Sequence, residues 1–188
     1  MPDKPFLSVV IPAYNEEKRI SKTLLAVDHY LSKQKYPCEI LVVNDGSRDK
    51  TADLVRSFQK IMKNLRLIDN KENRGKGGVV KQGMMKAEGK IRLFMDADNS
   101  TTIEHIEKMW PYFEQGYEIV IGTRDKKDAR SATQAVPQPF SKRMLGNIGN
   151  LLIQIFAVPG VWDTQCGFKA FSAKASQDVF SKTLIERW

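Results

Sequence analysis

The run Leu93-Phe94-Met95 gives way at once to Asp96-Ala97-Asp98-Asn99-Ser100, and this abrupt change constrains the fold more than any other feature. Successive apolar residues fill both faces of a strand, which suits the interior of a parallel sheet. The carboxylates that follow then lie beyond the strand's carboxyl end, where open α/β sheets gather their ligands. The same plan recurs along the chain. Phe6-Leu7-Ser8-Val9-Val10-Ile11 is expected to stop at Pro12, leaving Pro12-Ala13-Tyr14-Asn15-Glu16-Glu17 as a loop. Glu39-Ile40-Leu41-Val42-Val43 runs into Asn44-Asp45-Gly46-Ser47, and Leu65-Arg66-Leu67-Ile68 precedes Asn73-Arg74-Gly75-Lys76-Gly77-Gly78. A fifth strand, Glu118-Ile119-Val120-Ile121, ends at Gly122-Thr123-Arg124. Between the strands, apolar residues fall at helical spacing: Ile20, Leu24, Val27 and Leu31, then Leu54, Val55, Phe58 and Ile61. Val79, Val80, Met84 and Met85 make a third helix, and Ile103, Ile106, Met109 and Trp110 to Phe113 a fourth. Strand and helix patterns in alternation predict an α/β fold with a mostly parallel sheet.

The chain has 188 residues, enough for one domain with a continuous core. Cys38 and Cys166 are too few for a disulfide framework and read as reduced thiols. No run is long enough to span a bilayer, and the first residues are no secretory signal. The net charge of +8 points to an anionic partner: nucleic acid, a membrane surface or a phosphorylated small molecule. Nucleic acid is set aside, because the basic residues are spread over the helices with no zinc-finger spacing or aromatic-basic stacking pattern.

The polar loops carry the chemistry. Two carboxylates spaced as Asp96 and Asp98 either serve only the solubility of a strand-terminating loop or divide their work, one holding a divalent ion and the other a hydroxyl. Such hard oxygen ligands suit Mg²⁺ or Mn²⁺ when a diphosphate completes the shell. Asp45 ends its strand as Asp96 does; it either accepts from a base N–H or hydroxyl, or serves only to form a turn. Asn15 and Ser47 are candidate N-caps, and Glu16 and Glu17 either favour a helix start or face a ligand. The glycines and charge around Lys76 make either an anion-facing loop backed by a helix N-terminus or a flexible turn. The loop lacks a Walker ending, and its glycines follow the third strand at the wrong spacing for a dinucleotide fingerprint.

From Arg124 to Arg143 basic residues dominate, with Asp125 and Asp128 in opposition and Pro137 and Pro139 interrupting regular structure. The apolar residues 151–158 follow. Residues 124–160 therefore read either as a solvated loop before a core helix, or as a basic loop and apolar helix meeting an acceptor or an anionic membrane. Asp163-Thr164-Gln165-Cys166-Gly167-Phe168-Lys169 is not expected to form a core strand, and Cys166, with no histidine nearby, is a poor nucleophile candidate. The ending at Leu184-Ile185-Glu186-Arg187-Trp188 suggests a single domain over 1–188 that is truncated at its C-terminus.

Six signatures stand in order: Val10-Ile11-Pro12-Ala13-Tyr14-Asn15-Glu16-Glu17, Val43-Asn44-Asp45-Gly46-Ser47, Asn73-Arg74-Gly75-Lys76-Gly77, Asp96-Ala97-Asp98, Gly122-Thr123-Arg124 and the run from Asp163 to Lys169. Together they resemble the family 2 glycosyltransferases of the GT-A fold, a Rossmann-like, mostly parallel sheet with helices on both faces. The similarity is greatest to polyprenyl-phosphate sugar transferases, above all the dolichyl-phosphate β-glucosyltransferase branch. The resemblance implies that Pro12, Tyr14 and Glu16 line a nucleotide pocket, Asp45 meets the base, Asp96 lies near the ribose and Asp98 binds the metal. It also implies that Arg124, with Lys142 or Arg143, receives an acceptor phosphate. Asp163 would stand at the sugar–acceptor side, with Gln165 and Lys169 on the same loop. Ser100 takes the place of a glutamine that joins the metal shell in mannose-transferring relatives.

The implied reaction is a metal-dependent, inverting transfer of glucose from UDP-glucose to a polyprenyl (dolichyl) phosphate at the cytoplasmic face of a membrane, peripherally or through segments absent from this chain. An acceptor phosphate brings its own nucleophilic oxygen and needs a cationic cradle more than a base, so Asp163 reads first as an orienting carboxylate. Lys76 would assist the leaving group or grip the sugar. Two alternatives remain: transfer of mannose from GDP-mannose or of another UDP-sugar to a lipid phosphate or glycan, and a non-catalytic nucleotide-binding or scaffold domain.

Overall fold

The computed structural model describes residues 4–125, 127, 128 and 158–184. They fall into two compact units, one of Met1–Val120 with Phe168–Trp188 and the other of Ile121–Gly167. The larger unit is built on β1 (Leu7–Ala13), α1 (Ile20–Leu31), β2 (Cys38–Asp45), α2 (Thr51–Gln59), β3 (Leu65–Asn70), α3 (Lys76–Lys86) and β4 (Ile91–Met95). A 3-10 helix (Ile103–Lys108), α4 (Trp110–Glu114), β5 (Ile119–Ile121), β6 (Phe168–Ser172) and α5 (Ala173–Lys182) complete the described elements.

The sheet order is β3-β2-β1-β4-β6-β5. β1, β2, β3 and β4 run parallel, while β6 pairs antiparallel with β4, from Ile91 opposite Ser172 to Met95 opposite Phe168. Strand order reverses between β1 and β4, so a crevice opens beyond their carboxyl ends, the usual ligand position in such sheets. Val10, Leu41, Val43 and Phe94 pack on one face against Val79, Val80 and Met84 of α3 and Phe171 of β6. The alternating residues Val9, Ile11, Ile40, Val42 and Leu93 are fully buried too. Apolar surface for that opposite face comes from Ile20, Leu24 and Val27 of α1 and from Ile103 and Ile106 of the 3-10 helix, which packs against α1. Both faces are therefore covered, as the doubly apolar strands require.

Several local expectations are corrected. β1 does not stop at Pro12 but continues to Ala13, with Pro12 opposite Val43. Pairing with β4 ends at Val10 opposite Phe94, so β1 is locally an edge at Pro12, where a missing N–H is tolerated. Neither Asn15 nor Ser47 caps a helix: α1 and α2 begin after Arg19 and Lys50, without side-chain caps. Ile61 is 72% exposed and Met62 takes the inward place, because α2 ends at Gln59 and the helical spacing lapses. The fourth helix is split into the 3-10 turn and α4, whose first turn contains Pro111. Phe168 and Lys169 belong to β6, a strand that the run from Asp163 was not expected to contain.

One polar cluster ties the amino-terminal ends of the strands together. Glu39, 6% exposed, accepts from the Ser8 hydroxyl (2.6 Å), the Glu88 amide (2.7 Å) and Arg66 (2.7 Å). The buried carboxylate is thus paired and hydrogen-bonded, the condition under which burial is tolerated. Cys38 donates to the Tyr36 carbonyl, and burial pushes its thiol up to about 11, so it stays protonated and unreactive near neutral pH. Cys166 is also a free thiol and is buried.

Close packing of α3 on the sheet depends on Gly83. A Cβ there would lie 2.4 Å from Val10 Cγ1 and 2.9 Å from Val43 Cγ2, both in the core. Gly83→Ala is expected to destabilise the fold by about 1–3 kcal/mol through overpacking, despite the better helix propensity of alanine. Urea denaturation checks this, and a midpoint at or above that of the parent would contradict the close approach.

Candidate functional site

A cleft of about 360 Å³ opens at the carboxyl ends of β1, β2 and β4. Seven residues singled out from the sequence line it: Pro12, Tyr14, Glu16, Asp45, Lys76, Asp96 and Asp98. Ala13, Asn73, Gly75, Val79 and Ala97 complete the wall. The apolar parts are strand ends and the first turns of α3, while the charges come from the loop after β1, the end of β2, the start of α3 and the segment after β4.

Asp45 is the last residue of β2 and only 3% exposed. Its Oδ1 accepts from the Arg74 amide (2.6 Å) and its Oδ2 from Asn73 Nδ2 (3.0 Å). The carboxylate therefore fastens the loop before α3 to the end of β2. Gly46, at φ +67°, permits the close approach: a Cβ there would stand 2.8 Å from the Glu72 carbonyl carbon. The segment from Lys76 onward is not loop but the first turn of α3, entered through Gly75 at φ 83°. That N-terminus offers unpaired N–H groups and the positive end of the helix dipole beside the cleft.

A second set of bonds joins the β1–α1 and β2–α2 loops. Asn15, in the left-handed region at φ 54°, accepts from the Arg48 amide (2.9 Å), and its own amide donates to Ser47 Oγ (2.9 Å). The amides of Glu16 and Glu17 donate to Thr51 Oγ1 (2.8 Å) and Asp49 Oδ2 (3.1 Å). The Glu16 carboxylate pairs with Arg19 at 2.6 Å. Short polar side chains that suit helix caps serve here as struts between loops.

Lys76 Nζ lies 2.7 Å from Asp96 Oδ1 and 5.6 Å from the centroid of the Phe94 ring. Asp98 is exposed and accepts the Ser100 amide at 2.9 Å, closing a turn over Asn99 at φ 56°. Among the described residues, no three His, Cys, Asp or Glu side chains converge on one metal position. Asp96 and Asp98 are hard oxygen donors, the type that suits Mg²⁺ or Mn²⁺.

In the smaller unit, Arg124 and Asp163 form a two-pronged pair. Arg124 Nε and Nη2 each lie 2.8 Å from an Asp163 oxygen, and the Arg124 amide adds a third bond at 2.9 Å. Burial alone pushes the Asp163 carboxyl up, but the Arg124 hydrogen bonds and charge outweigh it and hold the carboxyl below the usual range. Asp128 braces this pair by accepting from the Trp162 and Asp163 amides (2.8 Å each) and the Thr123 hydroxyl (2.8 Å). Lys127 stands 3.5 Å from the Trp162 ring centroid. Gln165 is exposed, and Lys169 lies in β6 opposite Phe94. Lys142, Arg143 and most of the 124–160 segment lie outside the described residues.

Asn73 and Asp128 were not among the residues singled out for the site. Asn73 carries a signal, standing at the head of a glycine-rich loop. Asp128 carries none, because two of its three donors, the Trp162 and Asp163 amides, stand 34 and 35 residues further along the chain.

Fold and cleft define an α/β protein with an acidic, cation-edged ligand site at its topological switch point. The chain belongs to glycosyl transferase family 2, whose model matches residues 8–180. A dolichyl-phosphate beta-glucosyltransferase of Trichomonas vaginalis is 36% identical over 200 residues, covering 99% of this chain and 60% of that protein. Its counterpart in Dictyostelium discoideum is 34% identical over 99% of this chain and 60% of its own length. The chain thus spans about 60% of the length of these curated relatives. Glucosyl-3-phosphoglycerate synthase from Mycobacterium tuberculosis, solved with Mn²⁺, uridine-diphosphate-glucose and phosphoglyceric acid, shares the fold with a TM-score of 0.64. It is 18% identical over 90% of this chain and 57% of its own.

A carboxyl with a depressed folded-state pKa stabilises the fold above its unfolded pKa and loses that contribution as pH falls through the folded value. An NMR titration of the Asp163 carboxyl carbon is therefore expected to show a midpoint below the ordinary aspartate range. Arg124→Leu should move that midpoint upward, and an unmoved midpoint would remove Arg124 as the cause.

Proposed function

We propose that the chain forms the donor-binding part of an enzyme that transfers glucose from UDP-glucose to a polyprenyl (dolichyl) phosphate, with metal dependence and inversion at the anomeric carbon. The observation that carries the reading is the single cleft shared by Asp45, Lys76, Asp96 and Asp98. Identity of 34–36% to dolichyl-phosphate beta-glucosyltransferases supports glucose as the sugar and a lipid phosphate as the acceptor.

Pro12, Tyr14, Glu16 and Asp45 line the place for the nucleoside. Asp98, with Asp96 beside it, would hold the Mg²⁺ or Mn²⁺. A bound ion of this kind neutralises charge on the diphosphate as the bond to the sugar breaks. Lys76 and the N-terminus of α3 bring further positive charge to the leaving diphosphate. Lys76 exchanges its contact with Asp96 for a phosphate oxygen, which frees the carboxylate for a ribose hydroxyl.

Arg124 receives the acceptor phosphate, with Lys142 and Arg143 as further cations and Gln165 and Lys169 on the sugar–acceptor side. The three bonds from Arg124 to Asp163 support an orienting carboxylate in preference to a base: a carboxyl held low in pKa is a weak proton acceptor. An ionised phosphate needs alignment more than deprotonation, and a guanidinium fixed by its partner loses little freedom on meeting it. The basic charge of residues 124–143 supports association with an anionic membrane surface at its cytoplasmic face. Among the described residues, no helix is long and apolar enough to cross a membrane.

Calorimetric titration with UDP and with GDP, each with and without Mn²⁺, tests the donor site. UDP is expected to bind more tightly than GDP and more tightly with Mn²⁺. Asp98→Ala should weaken the Mn²⁺-dependent binding by at least about tenfold, a loss that changes one shell further out already reach. Preference for GDP would reassign the donor, and an Asp98→Ala protein with parental Mn²⁺ dependence would reject the metal assignment.

A further inference from the structure

Thr23 lies on the buried side of α1 among Ile20, Leu24 and Val27, and its exposure is 0%. A hydroxyl in such a place must have a partner. A threonine inside a helix ordinarily donates to the carbonyl one turn back. Here that carbonyl, Arg19 O, is 3.3 Å away, whereas Ala97 O is 2.6 Å away on a different loop. The hydroxyl has one proton to give, and the shorter contact takes it.

Ala97 is the residue between the two cleft carboxylates and is itself only 5% exposed. Its carbonyl oxygen belongs to the planar peptide that links Ala97 to Asp98. Holding that oxygen fixes the plane, and with it the direction in which the chain leaves toward Asp98. Asp96 is held from the side by Lys76, and Asp98 is closed by the Ser100 amide over left-handed Asn99. The bond from Thr23 reaches the same turn from α1, an element of the core.

We infer that Thr23 is a positioning residue for the 96–98 turn, orienting the 97–98 peptide so that Asp98 faces the cation while Asp96 keeps its place beside it in the cleft. It touches neither nucleotide nor metal and acts through Ala97. The inference rests on the reading of the cleft as a metal-nucleotide site.

Thr23→Val keeps the branched shape and removes the donor, while Thr23→Ser keeps the donor. Two readouts separate positioning from general stability: UDP titration with Mn²⁺ or with EDTA, and amide hydrogen exchange at residues 98–100 in the ligand-free chain. Thr23→Val is expected to weaken Mn²⁺-dependent UDP binding about tenfold, the lower end of losses seen for groups that orient metal ligands. Binding in EDTA should stay at the parental level, exchange at residues 98–100 should quicken, and Thr23→Ser should restore both. Equal losses with and without metal, parental Mn²⁺-dependent affinity in Thr23→Val, or a Thr23→Ser as impaired as Thr23→Val would each overturn the inference. If the parent binds no UDP under either condition, the donor reading fails by itself, and unchanged exchange in Thr23→Val then overturns the positioning role separately. Should Thr23→Val not fold, Thr23→Cys, with its weak donor, gives the same readouts and should bind UDP with Mn²⁺ more weakly than both the parent and Thr23→Ser, and parental affinity in Thr23→Cys would overturn the inference.

Discussion

The buried carboxylate of Asp45 is the contact on which the cleft depends. It sits at the end of a central strand at 3% exposure and takes its hydrogen bonds from the backbone and side chain of the loop before α3. Through that loop it sets where α3 begins, and so where Lys76 and the helix N-terminus stand. Gly46 makes the contact sterically feasible, since any side chain there would collide with the backbone of Glu72 and Asn73. The struts from Asn15 and Glu16 extend the same bracing to the loop after β1. A site assembled from several loops is held together by hydrogen bonds between them, and its geometry is set before any ligand arrives.

The acidic groups occupy contrasting environments. Asp45 and Asp163 are buried and saturated with donors, which suits groups that hold other parts in place. Asp98 is exposed and Asp96 only half-buried, with one contact to a lysine that can be exchanged. Groups that bind a charged ligand need this accessibility, because a fully paired carboxylate would have to break strong bonds before accepting a cation. In the smaller unit the logic applies to a cation: Asp163, braced by Asp128, fixes the Arg124 guanidinium in one plane while leaving 43% of its side chain exposed.

Much of the larger unit was legible from the chain alone. β4 contains the run Leu93-Phe94-Met95 and ends where that run was expected to stop, and the apolar positions of α1 are buried as their spacing requires. The failures share a cause. Asn15 and Ser47 have the side chains of helix caps, but the chemistry that caps a helix also bridges two loops, and only the fold brings the second loop near. β6 is short and follows a run mixing acid, amide and thiol, so its strand character comes from pairing with β4, some 75 residues earlier, a contact that leaves no local periodicity. Thr23 was passed over because a threonine within an apolar helical stripe reads as a tolerated small residue until its partner is seen.

What the sequence determined by itself was the alternation of doubly apolar strands with amphipathic helices, and therefore a parallel sheet with its polar residues collected at the strand ends. Local periodicity encodes this, because burial on two faces and burial on one face demand different patterns. Tertiary structure alone decided which polar side chains brace the cleft and which face into it. Asp45, Asp96 and Asp98 are chemically identical, and each ends or follows a strand. They differ in the neighbours that surround them: two donors from the distant loop before α3 for the first, a lysine from α3 for the second, and the nearby Ser100 amide for the third.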